Sequence, residues 1–115
     1  AGVERVPEQL EGMSLLPLAL GEQPADWREE LLYEYYWEFN YPMTPTTFAL
    51  RTDRYKLIQY HGVWDMEELY DLKSDPQEMN NLIDEPEYLE VRVRLRKELH
   101  RRLANDRGEH VIPYT

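Results

Sequence analysis

The sequence contains no cysteine. That removes a disulfide-stapled scaffold and a zinc site built on thiolates, and it leaves the redox compartment open. Glycine is sparse, at 5 residues, and nowhere gathers into a phosphate-cradling loop or a flexible linker. There are no repeats and no low-complexity tract. Long apolar runs are missing too. The longest, LLPLAL at 15–20, is interrupted by Pro17 and falls far short of the ~20 residues a membrane-spanning helix needs. Positive charge is in the minority, since 13 Lys and Arg against 23 Asp and Glu give a formal net charge of −10. A nucleic-acid binder draws most of its affinity from neutralising phosphates, so this balance argues against one. Neither nucleic acid nor a membrane is an expected partner. Ala1, Gly2, Val3 and Glu4 do not resemble a signal peptide, and the first residue is not Met, which fits either processing or a piece cut from a longer polypeptide.

What is present is one small domain of 115 residues, near the lower end of what makes a self-sufficient core. Its periodicities predict an α+β fold, a four-stranded antiparallel sheet packed against a C-terminal amphipathic helix. Residues 1–30 read as a connecting segment with a short helix. Ser14 is placed to cap a turn through Leu20, Pro17 falls in the first turn where its missing N–H does little harm, and Gly21 is placed to end it. The sheet is expected over 31–72. At 31–39, Leu31, Tyr33, Tyr35, Trp37 and Phe39 alternate with Leu32, Glu34, Tyr36 and Glu38, the period of a strand. A loop containing Pro42 and Pro45 follows. Strands at 46–52 and 55–60 are joined by a short turn at Thr52 and Asp53, and a fourth strand lies at 68–72.

Residues 75–83 carry helix-start signals and predict a short helix: Asp75 as the capping residue, Pro76 at the first helical position, and Glu78 to close a capping box. The C-terminal helix is expected over 86–106. Tyr88, Val91, Leu95, Leu99 and Leu103 form its apolar stripe, Pro86 stands near its start, and Gly108 lies just past its end. Glu87 and Glu90 in its first turns, with Arg101 and Arg102 in its last, suit the helix dipole, and Glu90–Arg94 and Glu98–Arg102 are spaced as i,i+4 pairs. The tail at 109–115 reads as an added extended edge segment. Arg92, Arg94, Arg96, Lys97, Arg101, Arg102 and Arg107 crowd this helix while the remainder of the chain is acidic. Two readings follow: the basic helix meets acidic groups of its own sheet, or it docks on an acidic neighbour. Leu15, Leu16, Leu18 and Leu20 are too many apolar groups for one helical turn to leave in water, and they read as a patch for a neighbouring domain.

A resemblance rests on residues 51–83. Arg51, Arg54, Tyr55, Lys56 and Ile58, then Glu68-Leu69-Tyr70-Asp71-Leu72, Asp75-Pro76, Glu78 and Asn81-Leu82 stand as in R-x-x-R-Y-K-Y-I … E-L-Y-D-L-x-x-D-P-x-E-x-x-N-L, with Leu57 in place of the second tyrosine. Upstream, Gly12, Ser14, Leu15, Pro17, Leu18 and Gly21 follow G-x-S-L-x-P-L-L-x-G, with Ala19 departing from it. This is similar to the C-terminal signature of the sulfatase family, and it covers nearly the whole chain. Within that family it looks most like bacterial glucosamine-6-sulfatases, while relatives that cleave phosphonate or phosphate esters share the architecture. The resemblance implies a parent enzyme that hydrolyses sulfuric esters of a sulfated sugar or another organic sulfate. Its N-terminal catalytic domain would be the partner of this chain, and residues 1–3 would be the tail of that domain's last helix. The parent would use a divalent cation, expected to be calcium, and a formylglycine nucleophile made from Cys or Ser in C/S-x-P-x-R. The sequence contains no such motif, so no cofactor is expected in this chain and the chain alone should be inactive. The competing reading is a free-standing, non-catalytic interaction module, supported by the leucine cluster and the basic helix.

The candidate site residues are His61, Trp64 and Asp65, in the YHGVWD loop between the third and fourth strands. Aromatic groups beside a polar donor suit sugar binding, and the resemblance implies that this subdomain lends a loop to the substrate pocket. The structural alternative is that His61 ends a strand and bonds locally while Trp64 anchors the corner. His100 and His110 read as packed or solvated side chains. Glu67, Glu68, Asp71 and Asp75 lack the order of a calcium-binding loop. Capping accounts for Asp75, and the other three are expected to be solvated. No metal ligand is assigned.

Overall fold

The computed structural model describes residues 7, 8, 10, 12–61 and 66–107, with side chains of the last helix through residue 105. Four strands make one antiparallel meander, β1 (Leu31–Tyr35), β2 (Thr46–Arg51), β3 (Tyr55–His61) and β4 (Glu67–Asp71), in the order β1-β2-β3-β4. A short helix, α1 (Leu16–Ala19), precedes the sheet. A 3-10 turn, Pro86–Tyr88, leads directly into the long helix α2 (Leu89–Arg107). The α+β arrangement expected from the sequence is the one observed.

One row of leucines explains how the layers meet. Leu32 pairs with Leu50, Leu50 with Leu57, and Leu57 with Leu69, so one side-chain row crosses all four strands on a single face. Leu50, Leu57 and Leu69 have no exposed surface, and they pack with Phe48 against Leu95, Leu99 and Leu103 of α2. Burial of each such side chain contributes roughly 1.5–3 kcal/mol. Tyr88 and Val91 extend the helix stripe at the edge of the core. Polar contacts then fix the helix along the sheet. Arg96 pairs with Glu67, Arg102 with Glu30 at 2.8 Å, and the His100 ring meets the Gln59 amide oxygen at 3.0 Å. The basic helix therefore meets acidic groups of its own domain. Glu98–Arg102 forms at 3.3 Å and Glu98 also takes Arg101, but Glu90–Arg94 does not pair among the described contacts.

The turn that ends α1 follows the expected chemistry. Gly21 has φ +80°, its N–H reaches Leu18 O, and the N–H of Glu22 reaches back to Pro17 O at 2.9 Å, a Schellman closure. Ser14 accepts from Leu16 N at 3.3 Å.

Two expectations are corrected. The first strand stops at Tyr35 and does not run to residue 39. Tyr35 faces Thr47, and two residues earlier on that partner strand stands Pro45, which has no N–H to extend the ladder. The chain turns away instead. Trp37 N donates to Thr46 Oγ1 at 2.9 Å, the indole Nε1 donates to Pro42 O at 3.2 Å, and Tyr41 N closes on Glu38 O. Residues 75–83 are not a helix but a chain of turns. Glu78 adopts φ +55°, which a right-handed helix does not contain. Asp75 Oδ2 accepts from Asn80 N at 2.8 Å, and the Glu78 carboxylate pairs with Lys56, so neither makes a capping box. Asn81 holds the segment to the edge of β4: its Oδ1 accepts from Leu69 N at 3.0 Å and from Ile83 N, and its Nδ2 donates to Glu67 O. Two side-chain bonds to strand backbone, with a third that closes on Ile83, outweigh a local helical preference of roughly a few tenths of a kcal/mol per residue.

Candidate functional site

An antiparallel meander places alternate strand ends together, so the β1–β2 connection at 36–45 lies at the same end of the sheet as the end of β3 and the start of β4. His61 is the last residue of β3 and stands opposite Thr46, the first residue of β2. By strand alternation it shares the face of Leu57 and Gln59. Thr46 is the residue whose hydroxyl holds Trp37, so His61 is one strand away from the anchored end of the 36–45 loop. The neck beneath the 62–65 connection is closed by Tyr60 N donating to Met66 O at 3.0 Å. Trp64 and Asp65 lie outside the described residues. The structure thus places His61, half-buried, at the strand end beside the 36–45 connection. On the 36–45 loop, Phe39 and Met43 are 84% and 92% exposed, although the Trp37 indole bonds the Pro42 carbonyl of the same loop.

The opposite end of the sheet holds most of the polar signature residues, and there the chemistry is structural. Asp71 is only 1% exposed, and its carboxylate accepts from Arg54 Nη2 at 2.8 Å, from Arg54 Nε at 3.2 Å and from Lys73 N at 3.2 Å. The Arg54 guanidinium, helped by the Lys73 N–H, holds the Asp71 carboxyl below the ordinary carboxylate range, although burial alone pushes it up. Arg54 also lies over the Tyr55 ring at 4.9 Å, and its carbonyl accepts from Leu72 N. Thr52 closes the β2–β3 turn by accepting from Tyr55 N at 2.9 Å. The expectation that Asp71, Glu67 and Glu68 are solvated is therefore corrected. Asp71 is buried in a salt bridge, Glu67 is taken by Arg96 and Gln59, and Glu68 accepts from the Tyr70 hydroxyl at 2.7 Å. A carboxylate in a turn motif looks solvated only until its partner, 17 residues away in sequence, is brought to it by strand pairing.

His100 is packed, as expected, against Gln59; burial lowers its pKa, the nearby Arg96 acts in the same direction and Glu67 opposes them. His110 lies outside the described residues. Among the described residues no group of three or more His, Cys, Asp or Glu side chains is placed to hold a metal ion. A basin of about 500 Å³ lies on the sheet face away from α2, lined by Tyr33, Tyr35, Glu38, Tyr41, Thr44, Thr47 and Tyr60. The sequence reading did not single it out. The signal was present, because the strands carry aromatic or branched residues on both alternating faces.

Comparison with known proteins places this geometry. A family model described as N-sulphoglucosamine sulphohydrolase, C-terminal, matches residues 1–105. An N-acetylglucosamine-6-O-sulfatase of Bacteroides thetaiotaomicron is 42% identical over 93 residues, covering 76% of this chain and 16% of the relative. A Δ4,5-hexuronate-2-O-sulfatase of the same organism is 35% identical over 102 residues, covering 88% of this chain and 20% of the relative. A solved structure of a protein in complex with its substrate D-glucosamine-2-N,6-O-disulfate overlays with a TM-score of 0.74 at 34% identity, covering 92% of this chain and 23% of that one. The chain thus spans about a sixth to a fifth of the curated relatives it matches. It belongs to the N-sulphoglucosamine sulphohydrolase C-terminal family of sulfatases.

Proposed function

We propose that the chain is the C-terminal subdomain of a sulfatase whose preceding domain hydrolyses sulfuric esters of sulfated sugars, with a 6-O-sulfated glucosamine as the favoured substrate. The observation that carries this is the 42% identity over 93 residues to an N-acetylglucosamine-6-O-sulfatase. The likeness to a protein solved with D-glucosamine-2-N,6-O-disulfate supports it. The divalent cation and formylglycine implied by the family do not fit the residues of this chain, which has no cysteine and, among its described residues, no metal-holding group. They would reside in the preceding domain, and no catalytic step belongs to the subdomain. Its direct contribution would be binding: His61, with Trp64 and Asp65 in the same connection, would reach the sugar hydroxyls from the rim of the sheet.

The test uses the longer polypeptide. Sulfate release from 6-O-sulfated N-acetylglucosamine is expected, with little from a 2-O-sulfated hexuronate, and the reverse order would overturn the substrate assignment. His61→Ala is expected to lower kcat/KM for the sulfated sugar by about 1–3 kcal/mol, the cost of leaving a hydroxyl unpaired in a closed site. Melting temperature should hardly change, and a small aryl sulfate without sugar hydroxyls should be cleaved nearly as before. Loss of stability with equal loss on both substrates would make His61 a strand-end support.

A further inference from the structure

An antiparallel sheet with one face in water normally alternates apolar and polar side chains. This one does not. The face turned to α2 carries Leu32, Phe48, Leu50, Leu57 and Leu69, and the opposite face carries Leu31, Tyr33, Tyr35, Ala49, Ile58, Tyr60 and Tyr70. Strands that are apolar on both sides are the pattern of a sheet covered twice. The described helix packed on the sheet, α2, lies on one side only, and residues 38–44 reach one corner of the other. Leu31 and Tyr33 are left 46% and 53% exposed.

Two of the charges on this second face, Lys56 and Glu68, already have partners, while Arg51 is exposed at the end of β2. Lys56 pairs with Glu78 and lies over the Tyr70 ring at 5.9 Å. Glu68 accepts from the Tyr70 hydroxyl at 2.7 Å. A carboxylate that already accepts from a tyrosine hydroxyl gains little from that bond in water, where solvent serves as well, but keeps a partner when the face is buried.

We propose that this face is the surface on which the preceding domain of the same polypeptide packs, with Tyr33, Tyr35, Ile58 and Tyr60 at its centre and Glu68 as its internally satisfied polar group. The inference rests on the reading that such a domain exists. The length of the relatives supports that choice of occupant, because more than three quarters of each lies outside the matched part.

Hydroxyl-radical footprinting with mass spectrometry tests it, on the longer polypeptide and on this chain alone. Tyr33, Tyr35 and Tyr60 should be oxidised at least ~3-fold more slowly in the longer polypeptide, while Leu89 and Val93, on the outer side of α2, should react equally in both. Tyr33→Lys should leave the melting temperature of this chain unchanged and lower that of the longer polypeptide by several degrees. Equal oxidation of the tyrosines in both proteins would overturn the proposal, whether or not the longer polypeptide releases sulfate. Protection in this chain alone that grows with concentration would also overturn it, by assigning the face to a second copy. Failure to release sulfate, with the tyrosines protected, would remove the activity assignment and leave the interface standing.

Discussion

Asp71 sits where water scarcely reaches it, and its charge depends on Arg54, whose own side chain is 49% exposed. The folded carboxyl is held below the ordinary range chiefly by that guanidinium. Glu98 is lowered to about 2, first by Arg101 and then by Arg102. Both are depressed in the folded state, so each contributes stability that is present above the ordinary carboxylate pKa and is lost as pH falls through the folded value. For Glu98 that window runs from 4.5 down to about 2. His100 acts earlier. Its folded pKa lies below 6.5, so the unfolded chain takes the proton first and stability begins to fall as pH drops below that value. The urea midpoint should therefore decline in two stages between pH 7 and pH 3. His100→Gln should flatten the upper stage, and Asp71→Asn should flatten the lower one. At pH 7, Asp71→Asn should cost about 1–3 kcal/mol, less than the loss of a fully buried pair because solvent screens Arg54. A midpoint that stays constant from pH 7 to pH 5 would show that His100 is not desolvated.

At the scale of elements, the helix and the four strands were legible in their periods, although the alternation through residue 39 overran β1, which ends at Tyr35. The stripe of Leu95, Leu99 and Leu103 and the alternation through Leu57 gave the helix and the strands, because a helix or a strand buries a repeating set of positions. What depends on a distant partner was not legible. Residues 75–83 carry a good local helix-start pattern, yet Asn81 bonds the β4 backbone and Glu78 turns to Lys56, contacts that exist only once the sheet is formed. Of the candidate site, the place of His61 at the end of β3 could be read from Gly62 breaking the strand pattern, whereas the basin of tyrosines required the register. Glu78→Gly distinguishes the two descriptions of 75–83. In a helix it would cost about 1 kcal/mol. At φ +55° glycine is free of the left-handed penalty, which offsets the lost Lys56 pair, and the change in stability should be within about 0.5 kcal/mol. A loss of 1 kcal/mol or more in chemical denaturation would argue for helix.

For the molecule as a whole, apolar surface is more plentiful outside the core than a lone domain of this size sustains. Leu15, Leu16 and Leu20 are each more than 60% exposed and Leu18 is 39% exposed, on and beside a helix of four residues that has no buried position. A helix that short is not stable by itself, so its closed Schellman turn and its leucines make sense as an element shaped to be covered. The chain studied alone should then hide these groups by association. Sedimentation velocity is expected to show a concentration-dependent shift above the monomer, and a hydrophobic dye should bind at low concentration. Leu16→Glu with Leu18→Glu should reduce both while leaving the melting temperature within a degree or two, because none of the core leucines of the sheet or of α2 is touched. The same pair in the longer polypeptide should lower its melting temperature, since there the leucines would lie against the preceding domain. A strictly monomeric chain that binds no dye, together with unchanged stability of the longer polypeptide, would mean that α1 is ordinary solvated surface.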